Sequence, residues 1–205
     1  MNNSDYTLPA IAAIALAILF PIYWVTAILS GMFDSDINFY HSTIGFSWLD
    51  LLFVFVGLLT IYVYLCLKRI LNDQYGFSGV NLPLNILIAC NSIYFFGLAA
   101  LDLVMDVFGT GLGLSVHKFV LNANISIGVG SMPVFGIANI LMGVLLLRNA
   151  DIDSSILKMF AIVVIIQGIF EITIVFSPAL IAIAPIMWIV LALLFMQKPD
   201  VLEVI

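Results

Sequence analysis

Charged side chains are scarce in this chain, and basic ones are the scarcest. Its 205 residues include six Lys and Arg against twelve Asp and Glu, and only 9% are charged. Six bases are too few for a surface that binds nucleic acid. A water-soluble domain has about a quarter of its residues charged, whereas 64% of this chain is hydrophobic. Lipid is therefore the expected solvent for most of the outer surface.

Cysteine is also rare, and the common catalytic motifs are missing. Cys66 and Cys90 both lie in apolar runs, which indicates packing residues and not a structural disulfide. No Gly-Lys-Ser/Thr follows the glycine-rich stretch 109–113, so a phosphate loop is excluded. The chain also lacks a Gly-x-Ser-x-Gly elbow. An enzyme is the less favoured interpretation, and no cofactor is expected.

Apolar runs of about 20 residues match a hydrocarbon core of roughly 30 Å. Six such runs occur, at residues 8–30, 47–67, 84–107, 122–147, 156–176 and 179–196. Ser177-Pro178 separates the last two, and a tight hairpin is favoured over one long kinked helix because Pro is a poor helix continuer. The sequence predicts an all-α polytopic membrane protein, with a single bundle of six transmembrane helices over residues 1–205.

The basic residues predict how the bundle is oriented. Five of the six share one side if the helices alternate in direction: Lys68, Arg69, Arg148, Lys158 and Lys198. Only Lys118 falls on the other side. The positive-inside rule then places both termini in the cytoplasm, with the bundle in a plasma membrane or a bacterial inner membrane.

Four acidic residues lie within the apolar runs, all toward the predicted outer side: Asp50, Asp102, Asp106 and Glu171. An ionisable group at membrane depth is costly and indicates function. Asp102 and Glu171 each lie about 9 Å below the outer end of their runs, so we expect them to share one interior space. A carboxyl in such a space favours its neutral form. The alternative is that Asp50 and Asp106 are hydrated at the interface and the other two are packing groups.

The fourth run begins with an unusually polar, glycine-rich stretch, residues 122–133, which contains Asn122 and Asn124 and ends at Pro133. Irregular backbone at membrane depth occurs where it is buried by protein or lines a cavity. A kink of more than about 20° or an unwound turn is therefore predicted before Pro133. The alternative is close helix packing, because three glycines recur at spacings of eight and seven: Gly128, Gly136 and Gly143.

Amide side chains occupy the predicted inner halves of the runs: Asn85, Asn91, Asn139 and Gln167. They would extend a hydrophilic path or, as such groups more commonly do, join helices by hydrogen bonds. His41 and His117 lie on the outer side, and imidazole with carboxylate suits zinc. No metal-ligand spacing such as His-x-x-His is present, so no metal is assigned.

Ala13 and Ala17 give the first run a small-residue face for close packing. In length, in six spans with inward termini and in this Ala13-x-x-x-Ala17 pattern, the chain is similar in layout to the substrate-binding S components of vitamin transporters. The resemblance implies a ligand site toward the outer face. The resemblance assigns no functional residue in this chain.

Two functions fit these patterns. The preferred one is a small transport or solute-binding protein whose acidic cavity, in the outer half, takes a small cation or a protonated solute. The candidate ligand-binding residues are Asp102, Asp106, Glu171, Asn122, Asn124 and Asp50. The alternative is a non-transporting subunit or scaffold that packs against other membrane subunits in a larger complex. An intramembrane enzyme is a third, less favoured possibility.

The first testable prediction concerns topology. A reporter fused at the C-terminus should behave as cytoplasmic, and one inserted near Asp34 should behave as exported, because five of the six bases fall on the side of the termini. Fusions of alkaline phosphatase and green fluorescent protein at the two positions would measure this. A C-terminal reporter that is active only outside would overturn the orientation.

Overall fold

A computed structural model describes residues 6–33, 46–108, 113–149, 154–173 and 176–197. Six long or medium-length helices occupy these ranges: α1 (Thr7–Phe33), α2 (Trp48–Asp73), α3 (Asn81–Phe108), α4 (Leu114–Arg148), α5 (Ser155–Ile172) and α6 (Leu180–Met196). Helix α3 contains one π-helical turn, Ile93–Gly97. The described residues contain no strand. The predicted all-helical fold is confirmed, and each helix overlaps one of the predicted apolar runs.

Five of the described helices, α1 to α5, are long and apolar enough to cross a membrane. Helix α6 is also apolar, but it is shorter, with 17 residues. The helices keep large apolar side chains exposed on their outer faces, including Ile18 at 56%, Leu58 at 53% and Ile189 at 49%. Such a surface suits lipid and not water. The chain has the build of a membrane protein.

The predicted break between the last two helices is present. Helix α5 ends at Ile172, and a 3₁₀ turn over Ser177–Ala179 leads directly into α6. Helices α5 and α6 then pack against each other as an antiparallel pair. Ser177-Pro178 thus marks a hairpin, because proline at this point cannot continue the preceding helix.

The helices form a closed ring. Each packs against the next one along the chain, and α6 packs extensively against α1. On α1, the predicted small-residue face is buried, with Ala10 and Ala13 fully so and Ala17 at 9% exposure. Small side chains at such positions let neighbouring helices approach closely. The closure of the ring by α1 and α6 encloses a central space.

Glycines bring α4 and α5 into backbone contact. A Cβ atom on Gly136 would lie 2.6 Å from the carbonyl oxygen of Gly168, and one on Gly168 would lie 2.6 Å from that of Gly136. Further along, a Cβ on Gly143 would lie 2.6 Å from the carbonyl oxygen of Ala161. The predicted packing face therefore holds for Gly136 and Gly143. It does not include Gly128, where a Cβ would meet open space.

The unwound turn predicted in the fourth span is wrong. Helix α4 runs without interruption over 35 residues, with Pro133 inside it. A continuous helix pairs nearly all of its own backbone N–H and C=O groups, which an unwound turn in lipid cannot do. Pro133 has no N–H, so it leaves one carbonyl oxygen of the preceding turn without a helical partner, and membrane helices accommodate such a group. At 1.5 Å per residue α4 is about 52 Å long, well beyond a hydrocarbon core of roughly 30 Å. The kink angle stays a prediction.

The glycine crossing generates the second prediction. Gly168→Ala should destabilise the bundle by about 1–3 kcal/mol, because the new methyl group meets the backbone of α4 and the helices must separate. The measurement is the free energy of unfolding in a fixed detergent and denaturant series.

Gly128→Ala is the matched control. Its methyl group enters open space, and alanine favours a helix over glycine by about 1 kcal/mol, so this variant should be unchanged or slightly more stable. Equal stability of the two variants would contradict the close crossing.

Candidate functional site

A central cavity of about 100 Å³ lies inside the ring, and all six helices contribute residues to its wall. Much of the wall is aromatic: Phe20, Tyr23, Trp24, Tyr64, Tyr94, Phe95, Phe135 and Trp188. The described part of the chain has five buried polar or charged residues, and all five line this cavity: Thr60, Asn91, Asn139, Gln167 and Glu171. The most deeply buried polar side chains of the described bundle are thus concentrated in one place, while half-buried ones such as Asn72 and Asp102 lie elsewhere.

Glu171 is the acidic group of the cavity. Its side chain is buried, and both carboxylate oxygens accept hydrogen bonds from amide groups. Asn139 Nδ2 donates to Oε2 over 2.7 Å, and Gln167 Nε2 donates to Oε1 over 2.8 Å. Gln167 lies one turn earlier on α5, where residues four apart share a face. The carboxylate is therefore held in one position from two helices.

The bond between Asn139 and Glu171 follows from helix geometry. In any helix the Cα–Cβ bond tilts toward the N-terminus. Because α4 and α5 run antiparallel, Asn139 and Glu171 lean toward each other from positions that are not directly opposite. The close crossing at Gly136 and Gly168, three residues before each of them, brings the two backbones near enough for the 2.7 Å bond.

Three buried polar atoms on cavity-lining residues have no hydrogen-bond partner in the described structure: Asn139 Oδ1, Gln167 Oε1 and Trp188 Nε1. A buried polar group without a partner costs about 1–3 kcal/mol. Each amide donates one N–H to Glu171, and its oxygen still needs a donor. The cavity wall thus combines a carboxylate with two acceptors that need a donor.

The π-helical turn of α3 shapes the aromatic wall. Just before it, two side chains bond back to carbonyl oxygens of the preceding turn, Asn91 Nδ2 to Leu87 over 2.7 Å and Ser92 Oγ to Ile88 over 2.8 Å. The turn places both Tyr94 and Phe95 in the cavity wall. Single π turns recur at functional sites because the extra residue redirects the side chains around it.

The other predicted site residues lie outside this cavity. Asp102 is half-buried and accepts a hydrogen bond from Asn124 Nδ2 over 3.0 Å. Asp106 and Asn122 are exposed. Asp50 is used locally at the start of α2, where its Oδ2 accepts from the backbone N–H of Ser47 over 2.6 Å and from the hydroxyl of Ser47 over 2.8 Å. Asp50 thus helps to cap the N-terminus of α2.

Asp102 and Glu171 are not at one depth, and that expectation is wrong. Asp102 bonds to Asn124 and Glu171 bonds to Asn139, two positions of the same continuous helix. Fifteen residues separate those positions, which is about 22 Å along the axis of α4. The error arose because each depth was measured from the end of its own apolar run. Helix α5 ends just after Glu171, whereas α3 continues past Asp102 alongside α4.

Two further expectations concern amides and metals. Asn91, Asn139 and Gln167 line the cavity, while Asn85 accepts a hydrogen bond from Lys68 Nζ over 2.8 Å near the end of α2. Within the described ranges no group of three or more His, Cys, Asp or Glu side chains could hold a metal ion. His41 lies outside the described residues, as do Asp34 and Asp36.

Sequence reasoning missed Thr60 and Trp188. The Thr60 hydroxyl donates to the carbonyl oxygen of Val56 over 2.8 Å, and the Trp188 ring packs against Tyr64 at a centroid distance of 5.6 Å. Thr60 is a common residue in apolar helices, and no local pattern marks it. The aromatic content of 13% was a usable signal for the wall, but it did not say which rings face inward.

Comparisons with known proteins give no match: no family model fits the chain, and neither a curated protein nor a solved structure is significantly similar to it. The likeness in layout to the S components of vitamin transporters therefore stays one of size and topology.

The third prediction tests the bond between Asn139 and Glu171. Asn139→Leu removes the donor from α4 and leaves Glu171 Oε2 without a partner, so we expect a loss of about 1–3 kcal/mol in the free energy of unfolding. The exposed Asn122→Leu should change it by less than about 0.5 kcal/mol.

A double-mutant cycle with Glu171→Leu isolates the pair. The double variant should lose less stability than the sum of the single losses, by about 0.6–1.7 kcal/mol, the range for hydrogen bonds between helices in membranes. Strictly additive losses would show that the two side chains do not interact.

Proposed function

We propose that this chain is a small integral membrane protein that binds a cationic solute beside Glu171, as a transporter or as the solute-binding part of one. The observation that carries the proposal is the convergence of all five buried polar residues of the described chain on one cavity. Groups that only joined neighbouring helices would be distributed among several interfaces. Their concentration around one central space favours a ligand.

The chemistry of the wall selects the sign of the ligand. Glu171 brings a carboxylate, and Asn139 Oδ1 and Gln167 Oε1 are acceptors without donors. A cation, or a protonated amine with N–H groups, would complement all three. The faces of Trp, Tyr and Phe rings also attract cations, by about 0.5–2 kcal/mol each. An anion beside Glu171 would instead be repelled by the carboxylate and by the two amide oxygens.

We further propose six spans with both termini in the cytoplasm. The basic residues at the end of α2 and at the end of α4 lie at one end of the ring, together with Lys158 in the first turn of α5. Glu171 lies in the last turn of α5, toward the opposite end. By the positive-inside rule that opposite end is the outer one. Asn139 lies nine residues, or about 14 Å, from Arg148 at the inner end of α4, so the cavity would then lie near the middle of a hydrocarbon core of roughly 30 Å.

The fourth prediction tests the site with a probe of defined charge. Tetramethylammonium chloride should stabilise the parent protein saturably against thermal unfolding, because a ligand that binds only the folded state stabilises it by RT ln(1 + [L]/Kd). Sodium chloride at the same ionic strength is the reference. Glu171→Gln, which keeps the size of the side chain and removes its charge, should weaken tetramethylammonium binding at least tenfold.

Asp102→Asn is the matched control, because it also neutralises a carboxyl within the helices but lies outside the cavity. This variant should bind the probe as the parent does. Equal binding by the parent and Glu171→Gln would contradict the proposed site. The cavity polarity would then be structural, and the alternative of a scaffold subunit would be favoured.

A further inference from the structure

A second pocket, of about 150 Å³, adjoins the central cavity. The two share four lining residues: Phe20 and Trp24 of α1, Met132 of α4 and Leu180 of α6. The second pocket then continues to Ile28 on α1 and Ile181 on α6. The two spaces are therefore adjacent and share one wall of four apolar or aromatic side chains.

The two pockets differ in the chemistry of their walls. The buried polar residues of the described chain line the central cavity, whereas the side chains that line the second pocket are apolar apart from the indole N–H of Trp24. The second pocket lies where α5 has already ended, and there Met132 of α4 faces α1 and the start of α6 directly. An apolar pocket thus lies directly beside a polar one.

We propose that the ligand is an amphiphilic organic ammonium ion, with its charged head beside Glu171 and its apolar chain in the second pocket. This inference rests on the proposed function and names the class of solute. The aromatic wall suits a desolvated organic cation. A metal ion would need several oxygen ligands at fixed geometry, and it would leave the adjoining apolar space without a role.

The test compares two ligands with the same head. Butyltrimethylammonium differs from tetramethylammonium by three methylene groups, and each buried methylene strengthens binding about fourfold. The longer ion should therefore bind the parent protein at least about tenfold more tightly. Affinities are measured by titration calorimetry on protein in lipid nanodiscs, with the signal of empty nanodiscs subtracted.

Two variants locate the chain of the ligand. Ile181→Trp and Ile28→Trp fill the second pocket from different helices, so each should reduce the advantage of the butyl compound to less than threefold while tetramethylammonium binds as before. Ile186→Trp is the matched control, because Ile186 is 51% exposed on the outer face of α6 and lines neither pocket. This control variant should still bind the butyl compound at least about tenfold more tightly than tetramethylammonium.

The outcomes separate this inference from the proposed function. If tetramethylammonium binds through Glu171 but the butyl compound gains nothing, the apolar pocket has no ligand role and only this inference fails. The same holds if the gain persists in both pocket-filling variants. If neither ion binds in a way that depends on Glu171, the proposed function fails together with it.

Discussion

The close crossing of α4 and α5 is the contact on which the interior of this protein depends. At this crossing a Cβ atom on Gly136 or on Gly168 would lie only 2.6 Å from the carbonyl oxygen of the other residue, so a larger residue at either position would push the helices apart. Three residues further along each helix, Asn139 and Glu171 meet in a 2.7 Å hydrogen bond. In lipid the hydrophobic effect does not drive helices together, so close packing and polar bonds take its place. Here one short segment of each helix supplies both.

The six helices surround a central chamber because the ring is closed. Because α6 returns to α1, the inner faces of all six helices meet around one space. The polar groups found there are costly to bury, and two amide oxygens and one indole N–H have no partner in the described chain. A structure that only needed to pack would do better with apolar side chains at these positions. The cost is understandable if a ligand supplies the missing partners.

The helices could be predicted from the sequence because each apolar run is long enough to be recognised as a helix without information about the other runs. The predicted boundaries of α6 agree with the structure to within one residue, but α2 ends six residues later than predicted, at Asp73, and α4 begins eight residues earlier, at Leu114. Glu171 was found because an acid within an apolar run is conspicuous. Its partners could not be found in the same way, since hydrogen bonds between helices depend on which faces turn inward. Asp102 was misplaced for a related reason: the sequence gives no common reference level for helices of unequal length.

Tryptophan signals test most directly whether a cation enters the chamber beside Glu171. The chain has three tryptophans, of which Trp24 and Trp188 line the chamber and Trp48 is 61% exposed at the start of α2. Their indole N–H signals in a ¹⁵N-tryptophan-labelled sample therefore report on ligand position directly. On titration with tetramethylammonium, we expect saturable shifts of the Trp188 and Trp24 signals, while the Trp48 signal stays unchanged. A shift confined to Trp48, or no saturable shift at all, would contradict it.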